Sequence, residues 1–214
     1  MFRFLTAGES HGRALVAIVE GVPAGLALDE EYLARDLKRR QGGYGRGGRM
    51  KIEQDRAEIL SGVRHGLTMG SPISLLIWNR DWENWKDVMI VSPTSKSVEP
   101  VTRLRPGHAD LPGVMKYAQD DVRNILERAS ARETAARVAV GAVARRLLEE
   151  FGIAIHSHTV SIGGVSAKGE KPDKIDWEKV ESSPVRCADE QIEQAMMAAI
   201  DEVKAAGDSL GGVF

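Results

Sequence analysis

The residues best suited to chemistry are packed into Thr6-Ala7-Gly8-Glu9-Ser10-His11-Gly12, directly behind the apolar run Phe2 to Leu5. This stretch sets an acid, a hydroxyl and an imidazole between two glycines, which let a backbone bend sharply and approach a ligand without a Cβ in the way. His11 brings a group that titrates near neutral pH, and Ser10 brings a hydrogen-bond donor beside it. A second imidazole, His108, lies in an equally constrained turn, Arg105-Pro106-Gly107-His108-Ala109-Asp110. Arginines crowd the neighbouring segments: Arg40, Arg46 and Arg49 around a glycine-rich loop, then Arg128 and Arg132. Two histidines among guanidinium groups are the equipment for acid chemistry on an anionic, phosphorylated substrate.

Other chemistries fit less well. Gly8-Glu9-Ser10-His11-Gly12 satisfies the nucleophile-elbow pattern G-x-S-x-G, but that motif needs a helix after the serine. Here the β-branched run Ala14 to Val19 and the turn Gly21-Val22-Pro23 follow, so the hydrolase context fails. His156 and His158 form an H-x-H pair without a cysteine or a spaced third ligand, and read as a structural or exposed pair. His65 reads as a solvated loop histidine, and Cys187 as a bystander thiol. Net charge is -2, from 29 Lys plus Arg against 31 Asp plus Glu, so any anion site must be local. One cysteine in 214 residues excludes an internal disulfide and fits a reducing cytoplasm. No signal peptide and no run approaching the ~20 apolar residues of a membrane span is visible.

The elements that must position these groups alternate between strand and helix. Phe2 to Leu5 and Ala14 to Val19 read as strands, as do Lys51 to Val63 and Ser74 to Trp78. Asp29 is a good N-cap for a helix carrying Leu33 and Leu37, with Glu30 and Glu31 at its start and Lys38, Arg39 and Arg40 at its end. The loop Gln41 to Arg49 reads as a solvated linker or, more sharply, as an anion loop in which arginines fork onto phosphate or carboxylate. Trp78, Trp82 and Trp85 anchor a loop or stack on a flat ligand. Val91 to Thr102 is an exposed loop. Glu127 opens the strongest helix, running to about Phe151. Ser130 and Glu133 have the spacing of a capping box there, and Arg128, Ser130 and Arg132 make its N-terminus a ready phosphate site. Ile153 to Ile162 alternates like a strand, and Asp189 to Ala206 is an amphipathic helix with methionines as core filler. The chain then turns through Gly207-Asp208-Ser209-Leu210-Gly211-Gly212 and stops as a strand begins, which reads as a cut.

Together the turns at Gly8 to Gly12 and Arg105 to Asp110, Arg39-Arg40 with Arg46, the segment Arg128 to Thr134 and the glycine segment at Gly207 to Gly212 resemble the chorismate synthase family. They occur in that family's order and approximate spacing, over essentially the whole chain, which matches the N-terminal part, somewhat more than half, of a family member. The resemblance implies an α+β fold, a β-α-β sandwich of antiparallel sheets with helices between them. Residues 1–214 would be the N-terminal part of one such domain, lacking the C-terminal part. It implies a carbon–oxygen lyase of the shikimate pathway, in aromatic amino acid biosynthesis. The reaction is 1,4-elimination of phosphate from 5-enolpyruvylshikimate 3-phosphate to give chorismate, with reduced FMN required.

Carried over by position, His11 and His108 would be catalytic, the first beside the leaving phosphate and the second beside the flavin. Ser10, Arg49, Arg105 and Arg132 would bind substrate. Arg40, Arg46, Arg128, Ala129 and Ser130 would bind cofactor: reduced FMN, with NADPH where a member carries its own flavin reductase. No metal is implied. The expected assembly is a cytoplasmic homotetramer with no nucleic-acid or membrane partner. The family's C-terminal aspartate, thought to help remove the ring proton, has no counterpart in this sequence. Two other readings stay open: a non-catalytic phosphate- or nucleotide-binding fragment, and an RNA-binding module using the Gly/Arg loop.

Overall fold

Alternating apolar residues on two adjacent strands dictate the core of the larger unit. In the computed structural model, which describes residues 1–45, 54–167 and 172–214, β1 (Arg3–Ala7) and β2 (Ala14–Glu20) form a hairpin. β3 (Glu58–Ser61) and β6 (Ile73–Trp78) complete an antiparallel sheet in the order β1-β2-β6-β3. Val16 pairs with Leu76 and Ile18 with Ser74. With a side-chain period of two, this register puts Leu15, Ala17 and Val19 on one face with Ile73, Leu75 and Ile77, and all six are buried. Against that face pack α1 (Glu30–Gln41), through Leu33 and Leu37, and a long helix whose inward residues are Ala135, Ala136, Ala139, Val140, Ala142 and Val143. Alanine at four of those six positions lets the helix axis approach the strands closely. The Asp29 carboxylate accepts the Tyr32 N–H at 2.8 Å, the expected N-cap of α1.

The run from Lys51 to Val63 is not one strand. Its described part starts pairing only at Glu58, slips register between Ile59 and Ser61, and turns at Gly62, where φ is +83°. A Cβ there would lie 2.6 Å from the Pro72 carbonyl oxygen, so only glycine fits. A two-residue hairpin follows, β4 (Val63–Arg64) and β5 (Leu67–Thr68), with His65 and Gly66 both at positive φ as its turn requires. His65 is therefore a hairpin-turn residue.

Between β6 and the long helix run α2 (Trp82–Trp85), α3 (Asp110–Tyr117), α4 (Arg123–Leu126) and a 3₁₀ turn, Ala131–Glu133. The long helix itself, α5, spans Thr134–Glu149. The helix expected to open at Glu127 is thus broken. Ser130 is extended (φ -66°, ψ 148°), and its hydroxyl accepts the Arg132 N–H. Glu133 does not reach back to complete a capping box but bonds Thr6 and Arg137.

The described residues fall into two compact units, the one above (1–40 and 54–152) and a second from 41–45, 153–167 and 172–214. The second unit has its own three-stranded sheet, β8 (Val165–Ser166), β7 (Ser161–Ile162) and β9 (Gly212–Val213) in that order. Two helices accompany it, α6 (Trp177–Ser182) and α7 (Glu190–Ala205), capped by the Asp176 and Asp189 carboxylates. Val185, Cys187 and Met196 are its buried centre. Of the stretch Ile153 to Ile162 only the last two residues form a strand, with Val160 before them bonded to Val213 and Ala167. His156 stacks on Trp177 at 4.5 Å and His158 meets the same ring edge-on at 5.9 Å, a structural use of the H-x-H pair. Among the described residues no group of three or more His, Cys, Asp or Glu could hold a metal, and no helix is long and apolar enough to cross a membrane.

Candidate active site

The turn after β1 is gripped from three directions. Gly8 (φ +103°) starts it, and a Cβ there would stand 2.4 Å from the Ala14 carbonyl oxygen. From α4, Glu127 accepts the Ser10 N–H on its backbone carbonyl (2.9 Å) and the His11 N–H on its carboxylate (2.8 Å). The same carboxylate lies 2.8 and 3.0 Å from His11 Nδ1. From the end of β6, the Asn79 side-chain amide donates to the carbonyls of Glu9 (3.0 Å) and Gly12 (2.7 Å). From α2, the Trp85 ring stacks on the His11 imidazole, centroids 4.0 Å apart.

Asn79 is itself held. Its Oδ1 accepts from Arg132 Nε at 2.7 Å, and Arg132 Nη1 donates to Asp55 at 2.5 Å. The other Asp55 oxygen takes Arg40 Nη1 at 3.1 Å, while Arg40 also donates to the Thr134 hydroxyl and the Ala131 carbonyl. Two arginines that read as ligand contacts thus carry bonds that build the site. Arg132, with a side chain 5% exposed, is fixed between Asp55, Asn79 and the Trp78 carbonyl. Ser10 is buried, and its hydroxyl accepts a bond from Ser130 Oγ at 2.9 Å. Arg128 donates to the carbonyl and hydroxyl of Thr6. Beside it Glu133 is half-buried, which opposes its ionisation, but bonds from Thr6 and Arg137 and the Arg128 charge win and hold its pKa below the usual carboxylate value.

The second turn is local. Asp110, at the start of α3 and fully buried, accepts Arg105 through the backbone N–H, Nε and Nη2 at 2.8–2.9 Å. His108 Nδ1 stands 3.1 Å from the same carboxylate. The Arg105 hydrogen bond is the largest cause holding the Asp110 pKa far below its ordinary value. Arg105, 44% exposed at its side chain, has its own pKa raised first by that bond and further by the charge of Glu127, which ties the second turn electrostatically to the first. Beside α3 and α4 opens a cleft of about 750 Å³, lined by Ala109, Gly113, Lys116, Tyr117, Arg128 and Ala129 among others.

Of the residues singled out in the sequence, the structure gathers Ser10, His11, Arg128, Ser130 and Arg132 into one network, with Arg40 bonded to its far side. Arg46 and Arg49 lie outside the described residues. Sequence reasoning gave no role to Glu127, Asn79 or Asp55. Only Trp85 carried a signal, as one of three clustered tryptophans.

Two carboxylate–imidazole contacts with guanidinium groups near them are an arrangement able to do acid–base chemistry on an anion. The family profile described as chorismate synthase matches residues 2–214. A chorismate synthase of Moorella thermoacetica is 59% identical over all of this chain, and one of Aquifex aeolicus is 60% identical over 99% of it. A solved structure titled "Crystal Structure of Chorismate Synthase" superposes with TM-score 0.78 at 48% identity, covering 99% of this chain. The chain belongs to the chorismate synthase family. It spans about 55% of the length of these relatives.

Proposed function

We propose that this chain supplies the phosphate-leaving side of a chorismate synthase site, eliminating phosphate from 5-enolpyruvylshikimate 3-phosphate to yield chorismate. The observation that carries the reading is the match to the family along residues 2–214 at 59% identity to a curated member. His11 gives a proton to the departing phosphate oxygen, so that phosphate leaves as a weaker base. Arg105 and Arg49 bind the substrate's phosphate and carboxylates, and fixed guanidinium charge offsets the charge that develops on the leaving group. Arg132, with Arg40 behind Asp55, keeps Asn79 and the His11 turn in place while that charge moves. Ser10, next to His11 in the same turn, would bind substrate.

Reduced FMN fits what the chain offers. Arg128 Nη1 is buried with no hydrogen-bond partner among the described residues, beside the 750 Å³ cleft. An orphaned cationic donor suits an anionic cofactor. Arg128, Ala129 and Ser130 would hold it, with His108 keeping a proton at its edge and Arg46 completing the anion contacts. When bound, reduced FMN supplies transient electron density to the allylic system, which protein side chains cannot. NADPH use, cytoplasmic location and a homotetramer belong to the same proposal, as does one domain completed by the rest of a family-length chain.

The test is anaerobic chorismate formation with chemically reduced FMN, by this chain and by one extended through the family's remaining length. Turnover by the extended chain supports the reading. A folded extended chain that makes no chorismate overturns it and leaves an anion-binding relative.

A further inference from the structure

Glu127 commits more of itself to the His11 turn than any cap or packing role asks. It is 2% exposed, and its three oxygen atoms meet three donors on two consecutive residues: the Ser10 N–H, the His11 N–H and His11 Nδ1. A carboxylate only accepts, so the ring nitrogen facing it is the one that carries a hydrogen. Which nitrogen of an imidazole is protonated is set by the partner of the other. Trp85, stacked 4.0 Å away and anchored by its own Nε1 to Asp81, fixes the plane in which that choice is made. Arg123 lies 3.5 Å from the Glu127 carboxylate and 5.2 Å from the Trp85 ring, so a cation accompanies the buried acid.

We propose that Glu127 is a positioning residue that keeps a hydrogen on His11 Nδ1, so that the imidazolium gives its Nε2 proton to the leaving group and the neutral ring left behind is the Nδ1–H tautomer. This deepens the reading of His11 as an acid and rests on it. Glu127 touches no reacting atom. It acts by aiming one, and the ring cannot flip without giving up the bond to its carboxylate.

Long-range ¹H–¹⁵N correlation on imidazole-labelled protein separates the two tautomers directly, at a pH where His11 is neutral. The expected pattern is Nδ1–H for His11 in the native chain and Nε2–H in Glu127→Ala, with the other histidines unmoved. Should Glu127→Ala fail to fold, Glu127→Met fills a similar volume without a carboxylate and is expected to give the same change. An Nε2–H pattern in the native chain, or an Nδ1–H pattern that survives in either folded variant, overturns the assignment. In the extended chain, Glu127→Met is expected to lower kcat by at least about tenfold, because a ring no longer held at Nδ1 presents its Nε2–H poorly to the leaving group. Turnover lost in proportion to folded fraction, with the tautomer unchanged, would make Glu127 merely structural. Absence of turnover in the native extended chain strikes the proposed reaction alone, since the tautomer is read without substrate.

Discussion

The two histidine turns solve one problem in opposite ways. Both set an imidazole Nδ1 near a buried carboxylate, 2.8 Å at His11 and 3.1 Å at His108, but His108 Nδ1 also lies 3.1 Å from Arg105 Nη2, which can only donate. His108 borrows its acid from two residues along its own chain, with Arg105 closing the turn around it. His11 borrows its acid from 116 residues away and needs Asn79, Arg132 and Asp55 besides. The local turn carries its own instructions, whereas the distant one is correct only when the sheet, α4 and the 3₁₀ turn are all in place. A local device tolerates change elsewhere. A distributed one exposes its chemistry to many positions.

The hardest way to break the comparison is to remove the rings. His11→Ala and His108→Ala in the extended chain are each expected to lower turnover by about 10²–10⁴-fold, as loss of a general acid does. Thermal melts should move much less, and least for His108→Ala, since Arg105 still satisfies Asp110. Folding lost in step with activity would sink the catalytic reading of both.

Next in size is Asp55→Ala, which leaves the buried Arg132 guanidinium without its carboxylate. We expect a loss of about 3–5 kcal/mol by chemical denaturation, the usual cost of breaking a buried ion pair from one side. His11 signals should shift while those of His108 hold still. Equal disturbance of both histidines would erase the distinction between the turns.

Gly8→Ala probes the distant turn at its entrance. With φ at +103° and 2.4 Å to the Ala14 carbonyl, the added methyl should cost about 1–3 kcal/mol, read from the shift in denaturation midpoint. Gly107 also has positive φ (+69°), but no atom lies within 4 Å of a Cβ there, so Gly107→Ala should cost clearly less.

The gentlest probe is pH. The folded-state pKa of Asp110 lies below its unfolded value, so its stabilising contribution is complete above the ordinary carboxylate range near 4. That contribution is lost as pH falls from there through the folded value. Asp110→Asn is expected to be less stable at neutral pH and to show a flatter decline below about pH 4. An acid limb identical in native and variant protein would show that Arg105 holds the turn without the charge.

What could be read in the sequence follows the same division. The α1 cap at Asp29, the amphipathic helix from Asp189, the alternation in β2 and β6 and the constrained turn from Arg105 to Asp110 are local patterns, and each was legible. Glu127 was not, because no spacing rule links a residue to a partner 116 positions away. Asp55 falls inside the run read as a strand from Lys51 to Val63 and Asn79 just after the strand read to Trp78, and neither position marks a site. The continuous helix from Glu127 failed because Ser130 adopts an extended backbone and bonds Ser10, so tertiary contact overrode helical propensity. The alternation of Ile153 to Ile162 promised a strand, but pairing depends on neighbours that a single segment cannot announce.

The separations along the chain also order events in time. Thr6 and His11 are made before their partners Glu133 and Glu127, which follow 127 and 116 residues later. At about 5–20 residues per second, the first histidine waits roughly 6–23 s on the ribosome before its acid is made. The β1–β2 hairpin can close in that interval, but the turn at its head stays without Glu127 until α4 has been made. The His11 turn is therefore finished only after the hairpin that carries it.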